Sequence, residues 1–312
     1  MTKNVPKYIK SKLNIISQKN RFFEVSTENK TTELVKNFYT ENPFPNYNDF
    51  ETIYDLVAKT NENLFMKNFK KEVGFNKSFI EVGSGTSQLA LTMAYGTNNI
   101  ITALDPTKTS LELGYEYAIK SGISNIDFVN ADLFSDPIQK ESFDVVWCSG
   151  VLHHTKDPYK GFEIISKWVK PNGIIIIGLY NKYGRFWTVM RQLLFKFSGK
   201  GDFSRNIIYK LDPYLKTNIS KAKKDAWFQD QYEHPVESLH TIDEVLVWFK
   251  ANNIKFLRSI PESDMSSGNY ENLFESSEKG TYLSRLLSQL AMLFRPFGQE
   301  GGLFLLIGQK TK

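Results

Sequence analysis

Three carboxylates and two glycines occupy positions where a nucleoside could bind. Glu81 lies near the end of an apolar segment, and Gly83 and Gly85 follow at a spacing that lets the backbone turn tightly and approach a ligand. Asp105 closes the next apolar segment, where a carboxylate can accept hydrogen bonds from both ribose hydroxyls. Asp132 follows a third apolar segment, where a carboxylate can accept the amino group of adenine. The pattern therefore predicts a site for an adenosyl group.

The glycine turn does not complete the fingerprint of a dinucleotide site. That fingerprint has a third glycine where this sequence has Gln88. Taken alone, Asp105 fits a strand-end cap as well as a ribose ligand. Gln88 and the segment around Asp132 together argue against a nicotinamide-dependent oxidoreductase.

Short apolar segments with the character of strands must position these residues. Five of them alternate with stretches long enough for crossover helices: Ser78 to Val82, Ile100 to Leu104, Ile126 to Val129, Phe143 to Cys148 and Gly173 to Leu179. Two more, Ile254 to Ile260 and Gly302 to Ile307, follow near the C-terminus. We therefore predict an α/β fold with a Rossmann-like, doubly wound, mostly parallel sheet of seven strands.

The same segments, in this order and spacing, resemble the class I methyltransferases that use S-adenosylmethionine, in particular the broad group acting on small molecules. The resemblance lies within residues 76–181 and is carried by Phe79 to Ser87, Asp105, Asn130 to Leu133, Phe143 to Ser149 and Val169 to Gly173. It implies S-adenosylmethionine as the cofactor and methyl transfer to a small-molecule acceptor, with oxygen favoured over nitrogen or carbon. Ser87 and Asn172 depart from the pattern, because glycine is frequent at both positions; both residues are small or compatible with turns.

The resemblance also implies cofactor contacts, residue by residue. Asp105 would hold the ribose, and Asp132 with Leu133 the adenine. Glu81 would neighbour the methionine amino group through the glycine turn. The full set of expected contacts is Tyr39, Glu81, Gly83, Ser84, Gly85, Thr86, Asp105, Pro106, Asp132, Leu133 and Ser149.

Residues 1–75 are expected to form an arm and a helical lid. The first thirty or so are polar and lysine-rich, which indicates a loosely held arm or short helices. Helices are predicted from Thr31 to Phe38 and from about Asp49 to Phe69. Between them, Tyr39 to Pro45 resembles an element that precedes the methyltransferase domain in some bacterial and archaeal enzymes. Tyr39 and Phe44 would then help to enclose the cofactor, although aromatic packing on the sheet edge accounts for them equally well.

A basic segment follows the fifth strand. Between Asn181 and Ala226, eleven Lys and Arg stand against three Asp, so this segment carries +8 while the whole chain carries +5. We expect residues 182–240 to be a helical substrate cap inserted after that strand, and residues 241–312 to complete the core begun at residue 76.

An apolar helix face within the insertion is predicted from Phe186, Trp187, Met190, Leu193, Leu194 and Phe197. It could cover the acceptor pocket or contact a membrane surface or lipid-like substrate; nucleic acid is disfavoured.

Methyl transfer from a sulfonium is an in-line displacement, which mainly requires alignment and the exclusion of water. A hydroxyl or protonated amine acceptor would also benefit from a general base. The sequence after the fourth strand offers His154, our first choice, and His153, although both rings could simply bind loop backbone. Tyr180 follows the fifth strand and could orient an acceptor. His234 belongs to a polar cluster from Asp230 to Pro235 that could contribute or could be an ordinary solvated turn.

Composition limits the other functions. The single Cys148 cannot form an internal disulfide, which indicates a reducing compartment. Four histidines and one cysteine do not predict a metal site. No apolar run approaches the roughly 20 residues of a membrane-spanning helix, so we expect a cytoplasmic protein. The sequence thus predicts an S-adenosylmethionine-dependent methyltransferase; the alternatives are an enzyme for lipid-like or membrane-associated substrates and a catalytically silent S-adenosylmethionine-binding partner.

Overall fold

The computed structural model of the chain describes residues 5–11, 13, 15–25, 40, 52–266, 268, 270–294 and 302–312. The predicted helix from Thr31 to Phe38 and the predicted lid residues Tyr39 and Phe44 lie outside these ranges. The described residues form one central sheet with apolar clusters on both of its faces.

The sheet has nine strands in the order β1-β2-β5-β4-β3-β6-β7-β9-β8. Their bounds are β1 Ile15–Lys19, β2 Phe22–Val25, β3 Ser78–Val82, β4 Ile100–Asp105, β5 Ile126–Asn130, β6 Phe143–Ser149, β7 Val169–Tyr180, β8 Ile254–Ile260 and β9 Leu303–Lys310. The pairs from β2 through β5, β4, β3 and β6 to β7 are parallel. The outer pairs are antiparallel: β1 with β2, and β9 with both β7 and β8.

Ten α-helices lie within the described residues. They are α1 Ile53–Glu62, α2 Leu64–Val73, α3 Gln88–Ala94, α4 Lys108–Lys120, α5 Pro158–Ser166, α6 Phe186–Phe197, α7 Asp202–Leu211, α8 Lys221–Phe228, α9 Ile242–Ala251 and α10 Tyr282–Ala291. The described residues also include 3₁₀ turns at Leu133–Ser135 and Leu152–His154 and a π-helical turn at Gln229–Glu233.

The chain enters the parallel part of the sheet in its middle. β3 lies between β4 and β6, and the chain extends the sheet first through β4 and β5 on one side and then through β6 and β7 on the other. Such a reversal leaves a crevice at the carboxyl ends of the central strands, where doubly wound sheets bind their ligands. Glu81, Asp105 and Ser149 lie at or next to these carboxyl ends.

The isoleucine run of β7 is buried on both sides of the sheet. Ile175 and Ile177 belong to the apolar cluster on one face, and Ile174 and Ile176 to the cluster on the other. None of the four is more than 8% exposed. Unalternating apolar residues are expected where helices cover both faces of a parallel sheet, so the sequence prediction for this strand is confirmed.

The N-terminal arm differs from the prediction. Instead of a loose arm or short helices, β1 and β2 form a hairpin whose second strand pairs with β5. Arg21 in the turn of the hairpin pairs with Asp127 at 2.8 Å, and Glu24 pairs with Lys108 at 2.9 Å, so side chains also hold the hairpin against the sheet. All seven predicted strands are present, and the hairpin raises their number to nine. A four-residue strand offers too short an alternation to be recognised beforehand.

The helix predicted from Asp49 to Phe69 is two helices. α1 begins after Thr52, whose backbone N–H donates to Asp55 Oδ2 at 2.9 Å in a capping box. The chain then breaks at Asn63, whose side chain accepts a hydrogen bond from Met66 N at 3.2 Å and caps α2. The apolar spacing continues through the break, which is why periodicity alone did not reveal it.

The basic segment after β7 forms α6, α7, α8 and the π-helical turn around a small core of its own. That core consists of Phe195, Ile208, Leu215, Trp227, Phe228 and Tyr232. Arg185 is fully buried ahead of α6, and its ion pair with Glu237 at 2.6 Å ties the two ends of the segment together. Within the described part of the chain, no helix has the length and apolar content that crossing a membrane requires.

Candidate active site

A cavity of about 650 Å³ lies at the carboxyl ends of the central strands. Residues 81–85, 104–107, 132–134 and 149–151 supply one part of its wall, termed here the strand-end half. The other part, termed the insertion half, consists of Trp227, Asp230 and Gln231 together with His154 and Tyr180, which contact the insertion. Residues of α1 and α2 also contribute to the wall.

The glycine turn after β3 adopts left-handed backbone angles. Gly83 and Gly85 have φ of +70° and +51°, a region that glycine enters at little cost. A Cβ at Gly83 would lie 2.3 Å from Val151 Cγ2, so a side chain is also sterically excluded there. Gly83 N donates to Leu104 O at 2.8 Å and ties the turn to β4. Ser87 has φ of +66°, which gives the physical reason why glycine would suit that position.

Glu81 is a buried carboxyl at the base of this turn. Its Oε2 accepts a hydrogen bond from Ala90 N at 2.8 Å. Burial raises the pKa of Glu81 to about 8, and the nearby Asp105 carboxylate adds to the rise. A cation bound beside Glu81 would favour the ionised form and lower that pKa again.

Asp105 is held at the end of β4 by backbone donors. Its Oδ1 accepts from Thr107 N at 2.7 Å and its Oδ2 from Gly85 N at 2.8 Å. Burial raises the pKa of Asp105, and the two N–H groups oppose that rise. Each carboxylate oxygen has a second lone pair, so both can still accept a ligand hydroxyl. The roles of strand-end cap and ligand-binding residue are therefore compatible.

Asp132 begins the 3₁₀ turn after β5. Its Oδ1 accepts from Phe134 N at 2.9 Å, which fixes the carboxylate. Leu133 and Phe134 line the cavity beside it. A carboxylate next to apolar side chains offers an acceptor for an amino group and a surface for a flat ring, as the sequence analysis expected for adenine.

His154 lines the cavity with a defined tautomer. Its Nδ1 lies 2.9 Å from Val236 O, and a carbonyl oxygen only accepts, so Nδ1 carries the ring proton. Nε2 forms no hydrogen bond with the residues the structure describes. Burial lowers the pKa of His154 below its usual value, although Asp230 opposes the change. The side chain is therefore a neutral imidazole with a lone pair for a bound molecule.

The other two histidines of this cluster pack against His154. The rings of His153 and His234 lie 4.2 and 3.7 Å from it, centroid to centroid. Burial lowers the pKa of His153 well below its usual value and that of His234 to about 4. His153 Nδ1 accepts from Tyr180 N at 3.3 Å, so its role is to hold the end of β7. The cluster is uncharged at neutral pH.

A side-chain network holds the insertion half. Gln231 Nε2 donates to the Tyr180 hydroxyl at 3.1 Å and to Asp230 Oδ2 at 2.8 Å. Gln231 Oε1 accepts from Arg185, whose guanidinium also lies 3.7 Å above the Tyr180 ring. Glu237 completes the network through its ion pair with Arg185. The amide of Gln231 is thereby oriented, with its oxygen towards the cation and its nitrogen towards two acceptors.

Eleven of the predicted site residues line one cavity. They are Glu81, Gly83, Ser84, Gly85, Asp105, Pro106, Asp132, Leu133, Ser149, His154 and Tyr180. His153, His234 and Thr86 do not belong to its wall, and Tyr39 lies outside the described residues.

Other parts of the wall were not predicted from the sequence. Thr60 and Met66 of the first two helices line the cavity, as do Trp227 and the lysines Lys156 and Lys160. The periodicity of α1 and α2 predicted helices but gave no sign of which face meets a ligand. Nothing in the sequence around Trp227 distinguishes it from a core residue.

Comparison with known proteins identifies a domain within the chain. Residues 80–177 match the family model described as a methyltransferase domain, a span that runs from β3 into β7 and contains Glu81, Asp105 and Asp132. Residues 80–177 therefore form a methyltransferase domain of the class I type that uses S-adenosylmethionine. The resemblance to class I methyltransferases that was found in the sequence is therefore confirmed.

The curated relatives of this methyltransferase domain match only part of the chain. An uncharacterized protein of Synechococcus sp. is 25% identical over 197 residues, which is 57% of this chain and 46% of that protein. A ubiquinone biosynthesis O-methyltransferase of Vibrio atlanticus is 32% identical over 114 residues, 36% of this chain and 47% of that protein. The chain thus spans about half the length of these two relatives.

Solved structures agree on the fold. The structure of PKMT2 from Rickettsia typhi superposes with a TM-score of 0.55 at 16% identity, covering 80% of this chain and 54% of that one. At 16% identity this similarity bears on the fold alone, and it supports the Rossmann-like methyltransferase fold.

The strand-end half of the methyltransferase domain fits S-adenosylmethionine. Asp105 and Asp132 are buried carboxylates suited to ribose hydroxyls and an adenine amino group, and Leu133 supplies an apolar surface. Glu81, whose pKa burial raises, gains a favourable partner from a ligand that carries ammonium and sulfonium groups. The cavity volume of about 650 Å³ lies within the range of small-molecule sites.

Proposed function

We propose that this chain transfers the methyl group of S-adenosylmethionine to a hydroxyl oxygen of a small, largely apolar molecule. The observation that carries the proposal is one cavity whose wall contains both the carboxylates Asp105 and Asp132 and the imidazole of His154. The O-methyltransferase name of the Vibrio relative supports oxygen as the acceptor atom.

The strand-end half binds and orients the cofactor. S-adenosylmethionine, when bound, supplies an electrophilic methyl group on a positively charged sulfur. Asp105 would accept hydrogen bonds from the ribose hydroxyls and Asp132 one from the adenine amino group, while Glu81 would pair with the methionine ammonium. Gly83 and Gly85 would allow the backbone to approach the methionine portion closely. Fixed contacts of this kind hold the donor in one orientation before an acceptor binds.

His154 acts as the general base in this proposal. Its Nε2 would accept the proton of the acceptor hydroxyl as the oxygen bonds to the methyl carbon and the carbon–sulfur bond breaks, with S-adenosylhomocysteine as the leaving group. Nδ1 is not available for this proton because it already carries one, directed at Val236 O at 2.9 Å. Burial keeps the imidazole neutral beforehand, and the Asp230 carboxylate favours the imidazolium that forms. The two influences on the pKa of His154 serve successive stages of the reaction.

Tyr180, Gln231 and Trp227 form the wall that an acceptor meets. Trp227 is 6% exposed and offers an apolar surface, while the Tyr180 hydroxyl and the Gln231 amide offer oriented polar atoms. A mixed wall of this kind suits a molecule with a ring or chain and one or two hydroxyls. Packing of that molecule against Trp227 would also exclude water from the transfer step.

The test uses methyl-labelled S-adenosylmethionine and acceptors in matched sets that differ only in carrying a hydroxyl, an amine or a methoxy group. We expect label on the hydroxyl members and none on the methoxy members. Transfer confined to the amines would contradict oxygen as the acceptor. Tight binding of S-adenosylmethionine with no transfer across a broad panel would instead support the catalytically silent partner.

A lipid-like acceptor is the second candidate. It is favoured by the position of α6, whose apolar residues are exposed and do not line the cavity. Homologous phenols with short and long alkyl chains distinguish the candidates. A kcat/KM that rises with chain length supports a lipid-like acceptor, and one that does not supports a compact molecule.

A further inference from the structure

The apolar face of α6 is turned to solvent. This face consists of Phe186 and the residues one, four, seven, eight and eleven positions after it. At 100° per residue these six side chains form a stripe about 120° wide. They are Phe186 (44% exposed), Trp187 (54%), Met190 (46%), Leu193 (41%), Leu194 (41%) and Phe197 (83%). The opposite face, with Thr188 and Phe195, is the buried one. A helix on a protein surface usually buries its apolar stripe, so this arrangement requires an explanation.

The exposed surface continues beyond α6. Trp187 Nε1 donates to Leu293 O at 3.1 Å, which places α6 beside the end of α10, where Phe294 is 84% exposed. Phe203, in the first turn of α7, is a further exposed apolar residue of the insertion, at 75%. A contiguous apolar stripe such as that of α6 marks an interaction site far more often than scattered surface residues do.

Positive charge surrounds the stripe. Residues 181–226 carry +8. On a helical wheel, Lys196 flanks one side of the stripe and Arg191 the other. Lys196, Lys200 and Lys210 are exposed and form no ion pair with the residues the structure describes. An apolar stripe with aromatic residues and basic side chains at its borders is the composition of a helix that lies in the headgroup region of an anionic bilayer.

We infer that the exposed face of α6, together with Phe203 and Phe294, docks on the surface of a membrane containing anionic lipids. Charge decides between this occupant and a second copy of the chain. Two such faces brought together would place one +8 segment against another, whereas anionic headgroups attract it. Nucleic acid would neutralise the lysines but would leave the aromatic stripe in water.

The docking face lies directly behind the insertion half of the cavity. Gln192 Nε2 of α6 donates to Gln231 O at 2.8 Å, and Arg191 Nε donates to the Tyr232 hydroxyl at 2.8 Å. One side of α6 thus supports the wall at Gln231 while the other meets the lipid. This link, which rests on the proposed function, places the acceptor site next to the bilayer surface and makes an amphiphilic acceptor the substrate class.

Docking is measured with vesicles and does not depend on any methyl transfer. We expect the full chain to co-sediment with phosphatidylcholine vesicles that contain phosphatidylglycerol. Pure phosphatidylcholine vesicles, or high salt with the mixed vesicles, should release most of it, because the attraction to anionic lipid is screened. Failure to co-sediment with the anionic vesicles at low salt would overturn the inference, even if the chain proves to be an active methyltransferase.

Trp187 is an intrinsic probe of the orientation. The other four tryptophans, Trp147, Trp168, Trp227 and Trp248, are all buried, with exposures of 7% or less. Anionic vesicles should therefore shift the emission of Trp187 to the blue, and brominated lipid should quench it. The Trp187→Phe variant should still bind but lose both signals. Binding of the intact chain with neither signal would show that another surface docks.

Paired substitutions separate docking from folding. Phe197→Ser with Met190→Ser should weaken vesicle binding at least about tenfold, because two large apolar side chains no longer enter the bilayer. Phe75→Ser is the control, since Phe75 is 62% exposed in the connection between α2 and β3. Lys196→Glu with Lys200→Glu should also weaken binding, and Lys67→Glu with Lys71→Glu on α2 should not. Equal losses in test and control variants would count against the docking face.

Two further outcomes would also contradict the inference. One is a concentration-dependent dimer in solution that shifts Trp187 emission without lipid, which would make a second copy the occupant. The other is quenching of Trp187 by RNA or DNA at physiological salt with no response to vesicles. Unchanged thermal unfolding of each variant confirms that the substitutions act at the surface.

Discussion

The two halves of the cavity are held by different kinds of interaction. In the strand-end half, backbone groups fix the functional side chains: Asp105 accepts from the N–H groups of Gly85 and Thr107, at 2.8 and 2.7 Å. In the insertion half, side chains mostly fix one another, as Arg185 does for Gln231 and Tyr180; His154, whose Nδ1 donates to Val236 O, is the exception. A backbone-held site is specified by the sheet itself, whereas a side-chain network can be rebuilt without changing the fold. The first half therefore suits a fixed cofactor and the second a variable acceptor.

His154→Ala gives the largest expected effect and tests the division of labour directly. Loss of a general base should lower kcat for a hydroxyl acceptor by about 10²–10⁴-fold. Calorimetric affinity for S-adenosylmethionine should change by less than about twofold, because His154 belongs to the insertion half. His240→Ala is the matched control: this buried histidine bonds to Ser238 and Glu244 and does not line the cavity. Equal losses of kcat and cofactor affinity in His154→Ala would make the residue structural.

The pH dependence of the reaction sharpens the same assignment. Burial lowers the pKa of His154, so the acid limb of kcat should lie below the usual range of a histidine and the base should be neutral at neutral pH. Since Asp230 holds that pKa up, Asp230→Asn should move the acid limb of kcat to lower pH. A limb that stays in place, or moves to higher pH, would assign the titration to another group.

Arg185→Met should lower the free energy of unfolding without weakening cofactor binding, which would show that the two halves are independent. The guanidinium is fully buried against Glu237, and removing one partner of a buried pair costs about 3 kcal/mol in the free energy of unfolding. Arg205→Met is the control, because its ion pair with Asp225 is more than one-third exposed and contributes less than about 1 kcal/mol. Denaturant unfolding measures both. We expect Arg185→Met to keep its cofactor affinity at a temperature where it remains folded; a parallel loss would mean that the two halves depend on each other.

The strand-end half could be predicted from the sequence because local patterns determine it. Glycines with positive φ, strands buried on both faces and carboxylates at strand ends are all visible in short windows, as Gly83 and Asp105 illustrate. The insertion half could not. Tyr180 and Gln231 are 51 residues apart, and their contact depends on how α6 to α8 pack. The same limit explains why the sequence could not decide whether α6 covers the pocket or contacts a membrane or lipid-like substrate: amphipathic spacing identifies an apolar face but not what that face meets.

Asp105→Ala should weaken S-adenosylmethionine binding by about a hundredfold, since two charge-assisted hydrogen bonds to ribose together contribute on the order of 3 kcal/mol. The substitution also removes two backbone caps, so its effect on folding must be separated from its effect on binding. Asp127→Ala is the control: Asp127 is a buried carboxylate of the adjacent strand that bonds to Tyr8 and Arg21, away from the cavity. It should lower stability and leave the affinity unchanged. Unchanged affinity in Asp105→Ala would show that Asp105 does not bind the cofactor.

The smallest expected effect, and the most specific, is that of Glu81 on proton release and on the pH dependence of cofactor affinity. With a pKa raised to about 8, Glu81 is mostly protonated in the free protein at pH 7. A cationic ligand lowers that pKa, so binding should release up to one proton and affinity should rise with pH towards 8. A raised carboxyl pKa also means that Glu81 stabilises the free fold fully only below its unfolded value, near pH 4.5, and that this contribution is lost as the pH rises through about 8.

Calorimetry in buffers of different ionisation enthalpy counts the protons released on binding. Glu81→Gln, which keeps the shape and cannot ionise, should release none and should show a pH-independent affinity between pH 6 and 8. Proton release that persists in Glu81→Gln would assign the titration to a neighbour, with Asp105 the first to examine because burial raises its pKa as well. Release that disappears with Glu81→Gln but not with His154→Ala would place the cation-sensitive carboxyl in the strand-end half, where the backbone holds it.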